Sequence, residues 1–183
     1  MSQISPLLPL NFSLFDQFGI EVVVKRDDLI HPIISGNKWR KLKYNLEAAK
    51  KQGKNKLLSF GGAYSNHIHA LAYAAFSQGL NCHAIIRGEP QYQNNYTLSW
   101  ARHWGMTLKF VDRDTYRQRN SPQYLATLTE QYPDHVIIPE GGSNKLALLG
   151  VGDVITELSQ QIDEYDTLMC PVGSGGTVTP VPA

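Results

Sequence analysis

The chain has 183 residues, of which 42% are hydrophobic and 18% charged, and its formal net charge is +1. This length predicts one domain, or two if one is small, with a core that needs no disulfide or metal. The even charge balance argues against a nucleic-acid-binding face. The N-terminal apolar run is broken by Pro6 and Pro9 and carries no basic stretch, so we expect no signal peptide, no membrane span and a cytoplasmic protein. Cys82 and Cys170 form no CxxC pair, so we expect two buried free thiols.

Strands and helices alternate along the chain from residue 22 onward. In chain order, the hydrophobic pattern predicts a strand at 22–25, a helix at 37–51, a strand at 57–60, a helix at 67–78, a strand at 82–86, a helix at 96–104, a strand at 106–111, a helix at 121–132, a strand at 136–138, a helix at 146–161 and a strand at 168–172. Such alternation is typical of βαβ units and predicts an α/β fold with a parallel sheet.

Three glycine clusters follow predicted strands: Gly61-Gly62, Gly141-Gly142 and Gly173–Gly176. Parallel sheets bind ligands outside the carboxyl ends of their strands, so these clusters predict a site at one sheet edge. In the last cluster, backbone N–H groups and the hydroxyls of Ser174 and Thr177 suit a phosphate. The loop lacks the pattern of a Walker or dinucleotide site, and a plain glycine-rich turn is the alternative.

Two lysines stand at the start of the predicted helix at 37–51. Lys38 and Lys41 lie where the helix dipole disfavours cations, which makes sense beside an anion or for a neutral amine. A lysine that forms an imine must lose its proton, and burial favours that loss. An ordinary surface lysine is the alternative interpretation.

A third group of candidates lies where the strand at 57–60 gives way to a helix. Ser65 and Asn66 stand at the helix start, where free N–H groups bind a carboxylate, although Ser65 can equally be only an N-cap. His67 and His69 point about 200° apart on a helix, so we expect them to share no metal ion.

Four strings occur together in this chain: SGNKWRKL, GGAYSNH, PEGGSN and GSGGT. In order and spacing they resemble the 1-aminocyclopropane-1-carboxylate deaminase/D-cysteine desulfhydrase family. That resemblance implies an α/β fold of the tryptophan-synthase β-like type with a parallel sheet. It also implies pyridoxal 5′-phosphate (PLP) as cofactor, a small amino acid as substrate, and a lyase, deaminase or hydrolase activity.

The resemblance also assigns roles to individual residues. Lys38 matches the Schiff-base lysine and proton carrier, and Lys41 matches a lysine that contacts the phosphate. Asn66 resembles the residue that hydrogen-bonds the 3′-oxygen of PLP, and Ser65 resembles a catalytic residue that binds the substrate carboxylate together with Asn66 and His67. The implied phosphate loop consists of Gly173, Ser174, Gly175, Gly176 and Thr177.

The implied domains are a small α/β domain at 41–140 and a large PLP domain at 1–40 and 141–183, in a homodimer without nucleic-acid or membrane partners. Family members continue well past GSGGT, whereas Pro180 and Pro182 here oppose a following helix. We therefore expect a C-terminally truncated chain with an incomplete large domain. Ala63-Tyr64 departs from the Ile-Gln of the better-known deaminases, and His67 fits the desulfhydrase branch more closely.

Three hypotheses follow. The first is a PLP-dependent enzyme that releases sulfide, pyruvate and ammonia from D-cysteine, or opens the ring of 1-aminocyclopropane-1-carboxylate. The second is a truncated, non-catalytic remnant of that family. The third is a nucleotide-binding protein that uses GSGGT for a phosphate, but it lacks the acidic residue and helix of a dinucleotide site.

Overall fold

The computed structural model describes residues 4–34 and 36–171. The strands in these ranges are β1 (Leu7–Pro9), β2 (Val23–Lys25), β3 (Lys56–Gly62), β4 (Asn81–Arg87), β5 (Thr107–Val111) and β6 (His135–Ile137). The α-helices are α1 (Ser13–Phe18), α2 (Asn37–Lys51), α3 (Asn66–Ser77), α4 (Tyr96–His103), α5 (Arg113–Arg117), α6 (Pro122–Gln131) and α7 (Lys145–Gln161). Single 3-10 turns occur at Asp27–Leu29, Pro90–Asn94, Gln118–Asn120 and Glu140–Gly142.

Four strands form one parallel sheet in the order β5-β4-β3-β6. Leu58 in β3 pairs with His83 in β4 on one side and with Ile137 in β6 on the other. The chain therefore runs outward from β3 through β4 to β5 and then returns to place β6 beside β3. Such a reversal is a topological switch point, where open parallel sheets bind their ligands.

Both faces of this sheet are buried: Leu57 and Leu58, which as successive residues of β3 point to opposite faces, are both almost fully buried. One core cluster joins β3 and β4 to α2, α3 and α4, and it includes Leu42, Leu57, Leu71, Ile86 and Leu98. A smaller cluster contains Leu58, Phe60, Ile85, Tyr116 and Leu128. Burial on both faces explains why the centre of β3 is mostly apolar, with Leu57, Leu58 and Phe60 interrupted only by Ser59, instead of alternating strictly with polar residues.

The predicted α/β fold with a parallel sheet is confirmed, and the helix predicted at 37–51 has the bounds of α2. Ser121 caps α6 as expected, since its hydroxyl accepts a hydrogen bond from the Tyr124 amide at 3.2 Å. The other predicted elements through 161 differ from the observed ones by at most two residues at either end, as helix and strand boundaries usually do.

Near both ends of the chain the structure differs from what the sequence predicts. Residues 168–171 form no strand, because no described strand pairs with them, and Val172 lies outside the described residues. β1 and α1 were not predicted from the sequence. β1 is three residues long and pairs antiparallel with β2, and Pro9 is tolerated there because β2 is its only strand partner among the described residues.

Candidate active site

The candidate site lies at the switch point between β3 and β6. The residues after β3 lead into α3, and those after β6 form the turn Glu140–Gly142. Helix α2 packs against both α3 and this turn. The motifs at 36–42, 61–67 and 139–144 therefore converge, whereas the predicted phosphate loop Gly173–Thr177 lies outside the described residues, and its role stays a prediction.

Lys38 lies in the first turn of α2, which begins after Gly36. Gly36 has a φ of +61°, a conformation that favours glycine. Burial lowers the pKa of Lys38, and the positive charge of Lys41 lowers it further. A lowered pKa increases the share of neutral amine, which is the form of lysine that attacks a carbonyl carbon.

Lys41 lies one turn further along the same face of α2 and is only 1% exposed. Its Nζ donates a hydrogen bond to Ser143 Oγ at 3.4 Å, and burial lowers the pKa of the ammonium group. Among the described residues, no carboxylate is paired with it. Because a buried cation without a counter-charge is costly, the position suits an anionic ligand.

The loop before α2 is fixed by His31. Its Nδ1 accepts hydrogen bonds from the amides of Ile33 and Ile34, both at 3.0 Å, so a neutral His31 carries its proton on Nε2. The His31 ring also stacks on Trp39, with 5.3 Å between ring centroids. These contacts fix the loop that precedes Lys38 against Trp39 in the first turn of α2.

An ion-pair network that the sequence analysis missed fixes the same turn. The Arg40 guanidinium donates two hydrogen bonds of 2.7 Å to Asp27 and two of 2.8 and 2.9 Å to Glu157 in α7. Burial alone would lower the pKa of Arg40, but these two carboxylates raise it above its ordinary value. Lys25 in β2 adds a second cation at 2.9 Å from Glu157. The partners are far apart in sequence, so no local motif could have revealed the network.

The start of α3 holds the second group of predicted site residues. Ser65 is the N-cap, with its Oγ accepting a hydrogen bond from the Ile68 amide at 3.3 Å. The capping interpretation is therefore observed, whereas the catalytic and substrate-binding role of Ser65 stays a prediction. Asn66 is exposed as the first helical residue, and its N–H and that of His67 have no acceptor within the helix. This arrangement suits a carboxylate.

His67 is buried in the structure, with 2% of its surface exposed. Its Nε2 lies 2.8 Å from Ser59 Oγ in β3. Burial, followed by the charges of Lys38 and Lys41, lowers the pKa of His67 to about 3, so the ring is neutral at physiological pH. The predicted substrate-binding role of this buried ring also stays a prediction.

Gly142 brings the motifs together. Its φ is +72°, and a Cβ at this position would lie 3.5 Å from both the Cε1 of His67 and the Cβ of Lys41. Any larger residue would be strained in this backbone conformation, and its Cβ would be in van der Waals contact with both side chains. Lys41, His67 and the turn after β6 therefore line one small region.

Hydrogen bonds hold both ends of this turn. Glu140 accepts a hydrogen bond from the Tyr116 hydroxyl at 2.7 Å and pairs with Arg119. Asn144 caps α7 and exchanges side-chain hydrogen bonds of 2.7 and 3.3 Å with Asn45 of α2. One end of the turn is thus held by Tyr116 and Arg119, and the other end is held by Asn45 of α2.

A family model described as "Pyridoxal-phosphate dependent enzyme" matches residues 3–181. The chain belongs to this family. Members act through PLP, and the implied cofactor is therefore confirmed at the level of the family. The predicted fold is supported as well, because a crystal structure of an ACC deaminase homologue superposes with a TM-score of 0.81 at 26% identity, covering 99% of this chain and 57% of that one.

Individual relatives within this PLP family show which named enzymes the chain resembles in sequence. A putative 1-aminocyclopropane-1-carboxylate deaminase of Thermotoga maritima is 35% identical over 170 residues, which are 90% of this chain and 54% of the relative. A D-cysteine desulfhydrase of Klebsiella pneumoniae is 29% identical over 172 residues, which are 90% of this chain and 52% of the relative. The chain thus spans about half the length of the curated relatives it matches.

The donors at the site fit PLP by their chemistry. Lys41 offers a buried positive charge without an acidic partner among the described residues, which suits a phosphate. Lys38 offers a half-buried amine with a lowered pKa, which suits an aldehyde. By contrast, no group of three or more metal-binding side chains occurs within 4–34 and 36–171. None of the helices described there has the length and apolarity needed to span a bilayer.

Proposed function

We propose that this chain carries part of a PLP-dependent deaminase or desulfhydrase that acts on a small amino acid, either 1-aminocyclopropane-1-carboxylate or D-cysteine. The observation that carries the proposal is the position of Gly142, whose neighbours Lys41 and His67 come from the two motifs that also supply Lys38 and Ser65. The relatives are named as deaminases and desulfhydrases. They give no support to the broader hydrolase class expected from the sequence.

Lys38 is the residue to which PLP would attach, because it combines a lowered pKa with a position in the first turn of α2. Lys41 would balance the charge of the phosphate, together with the predicted loop Gly173–Thr177. Bound PLP supplies an electron sink that stabilises negative charge on the substrate carbon next to the amino group. Lys38, once free, would carry the proton to and from that carbon.

The start of α3 would hold the substrate. The free amides of Asn66 and His67 and the positive end of the helix dipole would bind the carboxylate, beside the Ser65 hydroxyl. Asn66 is exposed at the helix start, where its side chain is available to the 3′-oxygen of PLP. His67 stays neutral and so adds no positive charge next to Lys38. A charged His67 would lower the pKa of Lys38 still further.

The test is attachment of PLP to the purified chain. We expect a visible absorbance band on addition of PLP, and borohydride reduction should fix the label on the peptide that contains Lys38. Lys38→Ala should abolish the label. Lys145→Ala is the matched control, since Lys145 opens α7 at the surface and should not affect labelling.

Two results would contradict the proposal. Labelling that persists in Lys38→Ala and disappears in Lys145→Ala would place the attachment site on Lys145 in α7 instead of on Lys38 in α2. No labelling of the unaltered chain would favour the non-catalytic alternative for this chain. If Lys38 is labelled, sulfide release from D-cysteine without 2-oxobutanoate from 1-aminocyclopropane-1-carboxylate would select the desulfhydrase branch, and the reverse result would select the deaminase branch.

Within the same proposal, residues 41–140 form the smaller domain, and 1–40 with 141–183 belong to the larger one. The position of the sheet supports this division, because its four strands all lie between Lys56 and Ile137. A homodimer in the cytoplasm completes the proposal, and it would be tested by sedimentation and by localisation of the tagged protein.

A further inference from the structure

The buried ring of His67 has a defined tautomer. Ser59 Oγ donates its one proton to the carbonyl oxygen of Ile138 at 2.8 Å, since a carbonyl can only accept. The 2.8 Å contact between Ser59 Oγ and His67 Nε2 must then use a proton on the histidine. A neutral His67 therefore carries its proton on Nε2, and its Nδ1 presents an unshared electron pair.

That electron pair has no donor in the described part of the chain. The Nδ1 atom is buried and makes no hydrogen bond there, although buried polar atoms are almost always paired. Two amides of the adjacent turn are already paired, since the Gly142 amide donates to the Pro139 carbonyl at 2.9 Å and the Ser143 amide to the Glu140 carbonyl at 3.4 Å. An unused acceptor thus lies in the interior, 3.7 Å from the position that a Cβ on Gly142 would take.

Lys38 has the opposite need, because its amine is a hydrogen-bond donor without an acceptor among the described residues. Its amine is half-buried and donates no hydrogen bond to another described residue, whereas the Lys41 amine donates to Ser143 Oγ. Lys41 and His67 both lie beside Gly142, and Lys38 lies one turn before Lys41 on the same face of α2, so its amine belongs to the same region. The charges of both lysines lower the pKa of His67, which agrees with this placement. Four rotatable bonds give the Lys38 amine the reach to seek an acceptor.

We propose that His67 is a positioning residue: when the Lys38 side chain rotates toward it, the amine donates a hydrogen bond to the unprotonated Nδ1 and is oriented by it. The inference rests on the proposed function, in which Lys38 is the residue that attaches PLP. One N–H of a neutral amine would be held by Nδ1, and the electron pair of the amine would be left directed away from His67. The Ser59 hydroxyl fixes the tautomer that makes this possible.

The test uses the full chain without PLP, with its histidines labelled with 15N. The His67 signals are assigned by their loss in His67→Phe, which keeps a ring but has no nitrogen. In the unaltered chain we expect Nδ1 to be unprotonated and Nε2 to carry the proton. Lys38→Met, which keeps the length of the side chain but removes the donor, should move the Nδ1 resonance toward that of a nitrogen without a hydrogen bond. Lys41→Met, the matched control, should leave it in place.

A protonated Nδ1 in the unaltered chain would overturn the tautomer assignment. An unmoved resonance in Lys38→Met, or a shift produced by Lys41→Met instead, would overturn the pairing with Lys38. These readouts need no PLP, so they remain decisive even if PLP labelling shows that Lys38 is not the attachment site, in which case the proposed function fails separately.

A second readout follows the reactivity of Lys38. An acceptor stabilises the protonated amine, so His67→Phe should lower the pH midpoint for modification of Lys38 by an amine-reactive reagent by about 0.5–1 unit. Mass spectrometry of the Lys38 peptide gives this midpoint, and Lys145 in the same digest is the internal reference. A folded His67→Phe variant with an unchanged midpoint contradicts the proposal. If that variant does not fold, the Lys38→Met and Lys41→Met spectra decide.

Discussion

Gly61 decides how closely α3 can approach β3. A Cβ at this position would lie 2.3 Å from the Cγ1 of Ile68 and 2.9 Å from the Oγ of Ser65. Neither neighbour can move freely, since Ile68 is fully buried and Ser65 caps the helix. The close approach brings the free amides of α3 to the carboxyl end of β3, where the site lies.

We therefore expect Gly61→Ala to lower the free energy of unfolding by about 1–3 kcal/mol, the usual cost of overpacking. Urea denaturation would measure it. The neighbouring Gly62→Ala is the control, because its nearest atom would be the Nη2 of Arg87 at 3.6 Å, an ordinary contact. It should cost less than about 0.5 kcal/mol. Equal effects of the two substitutions would show that close packing of α3 is not the reason for glycine at position 61.

Helix α2 carries both site lysines, and its position depends on contacts with α7. A Cβ on Gly150 of α7 would lie 2.0 Å from the carbonyl oxygen of Arg40, so the two helix backbones nearly touch. The Arg40 side chain then joins Asp27 and Glu157 at the same place. The start of α2 is thus held by backbone packing and by charge together, which keeps Lys38 in place.

The network makes stability depend on pH through Glu157. Burial alone would raise the pKa of Glu157, but hydrogen bonds and charges from Arg40 and Lys25 outweigh it and lower the pKa from 4.5 to about 2. A carboxylate with a lowered pKa stabilises the fold fully above its unfolded-state pKa, and this contribution is lost as the pH falls from about 4.5 toward about 2.

Glu157→Gln should therefore cost about 3 kcal/mol at neutral pH, because it leaves the Arg40 and Lys25 charges short of one partner. It should also weaken the loss of stability below pH 4.5, and thermal unfolding between pH 3 and pH 7 would show both effects. Asp28→Asn is the control, since Asp28 pairs with Arg26 at the exposed surface. An unaltered acid limb in Glu157→Gln would mean that another carboxylate controls it.

Most helices and strands of the fold could be predicted because each is specified by its local sequence. The bounds of α2 follow from its apolar spacing, and Ser121 and Pro122 mark the start of α6. Contacts between distant segments could not be predicted in this way. The Arg40–Glu157 pair spans 117 positions, and the Ser59 partner of His67 comes from the preceding strand. β1 was missed because three residues form a strand only when β2 pairs with them.

Over the whole molecule, the core is built around the parallel sheet, whereas the N-terminal segment exposes much of its apolar surface. Phe12 in the loop after β1 is 54% exposed and Phe18 in α1 is 71% exposed. Other exposed apolar side chains among residues 4–29 are Ile4, Leu8, Leu10, Leu14, Ile20, Val23, Val24 and Leu29. Large exposed apolar side chains concentrated in one segment of a chain are typical of contact surfaces in soluble proteins.

This surface predicts concentration-dependent self-association of the chain, which sedimentation equilibrium would measure. The double substitution Phe12→Ser and Phe18→Ser should shift the equilibrium toward monomer, because it removes two of the largest exposed apolar side chains. Phe76→Ser is the control, since Phe76 in α3 is 57% exposed but lies outside the N-terminal segment. If the unaltered chain is monomeric at every concentration, or if Phe76→Ser has the same effect, the N-terminal segment is not the contact surface.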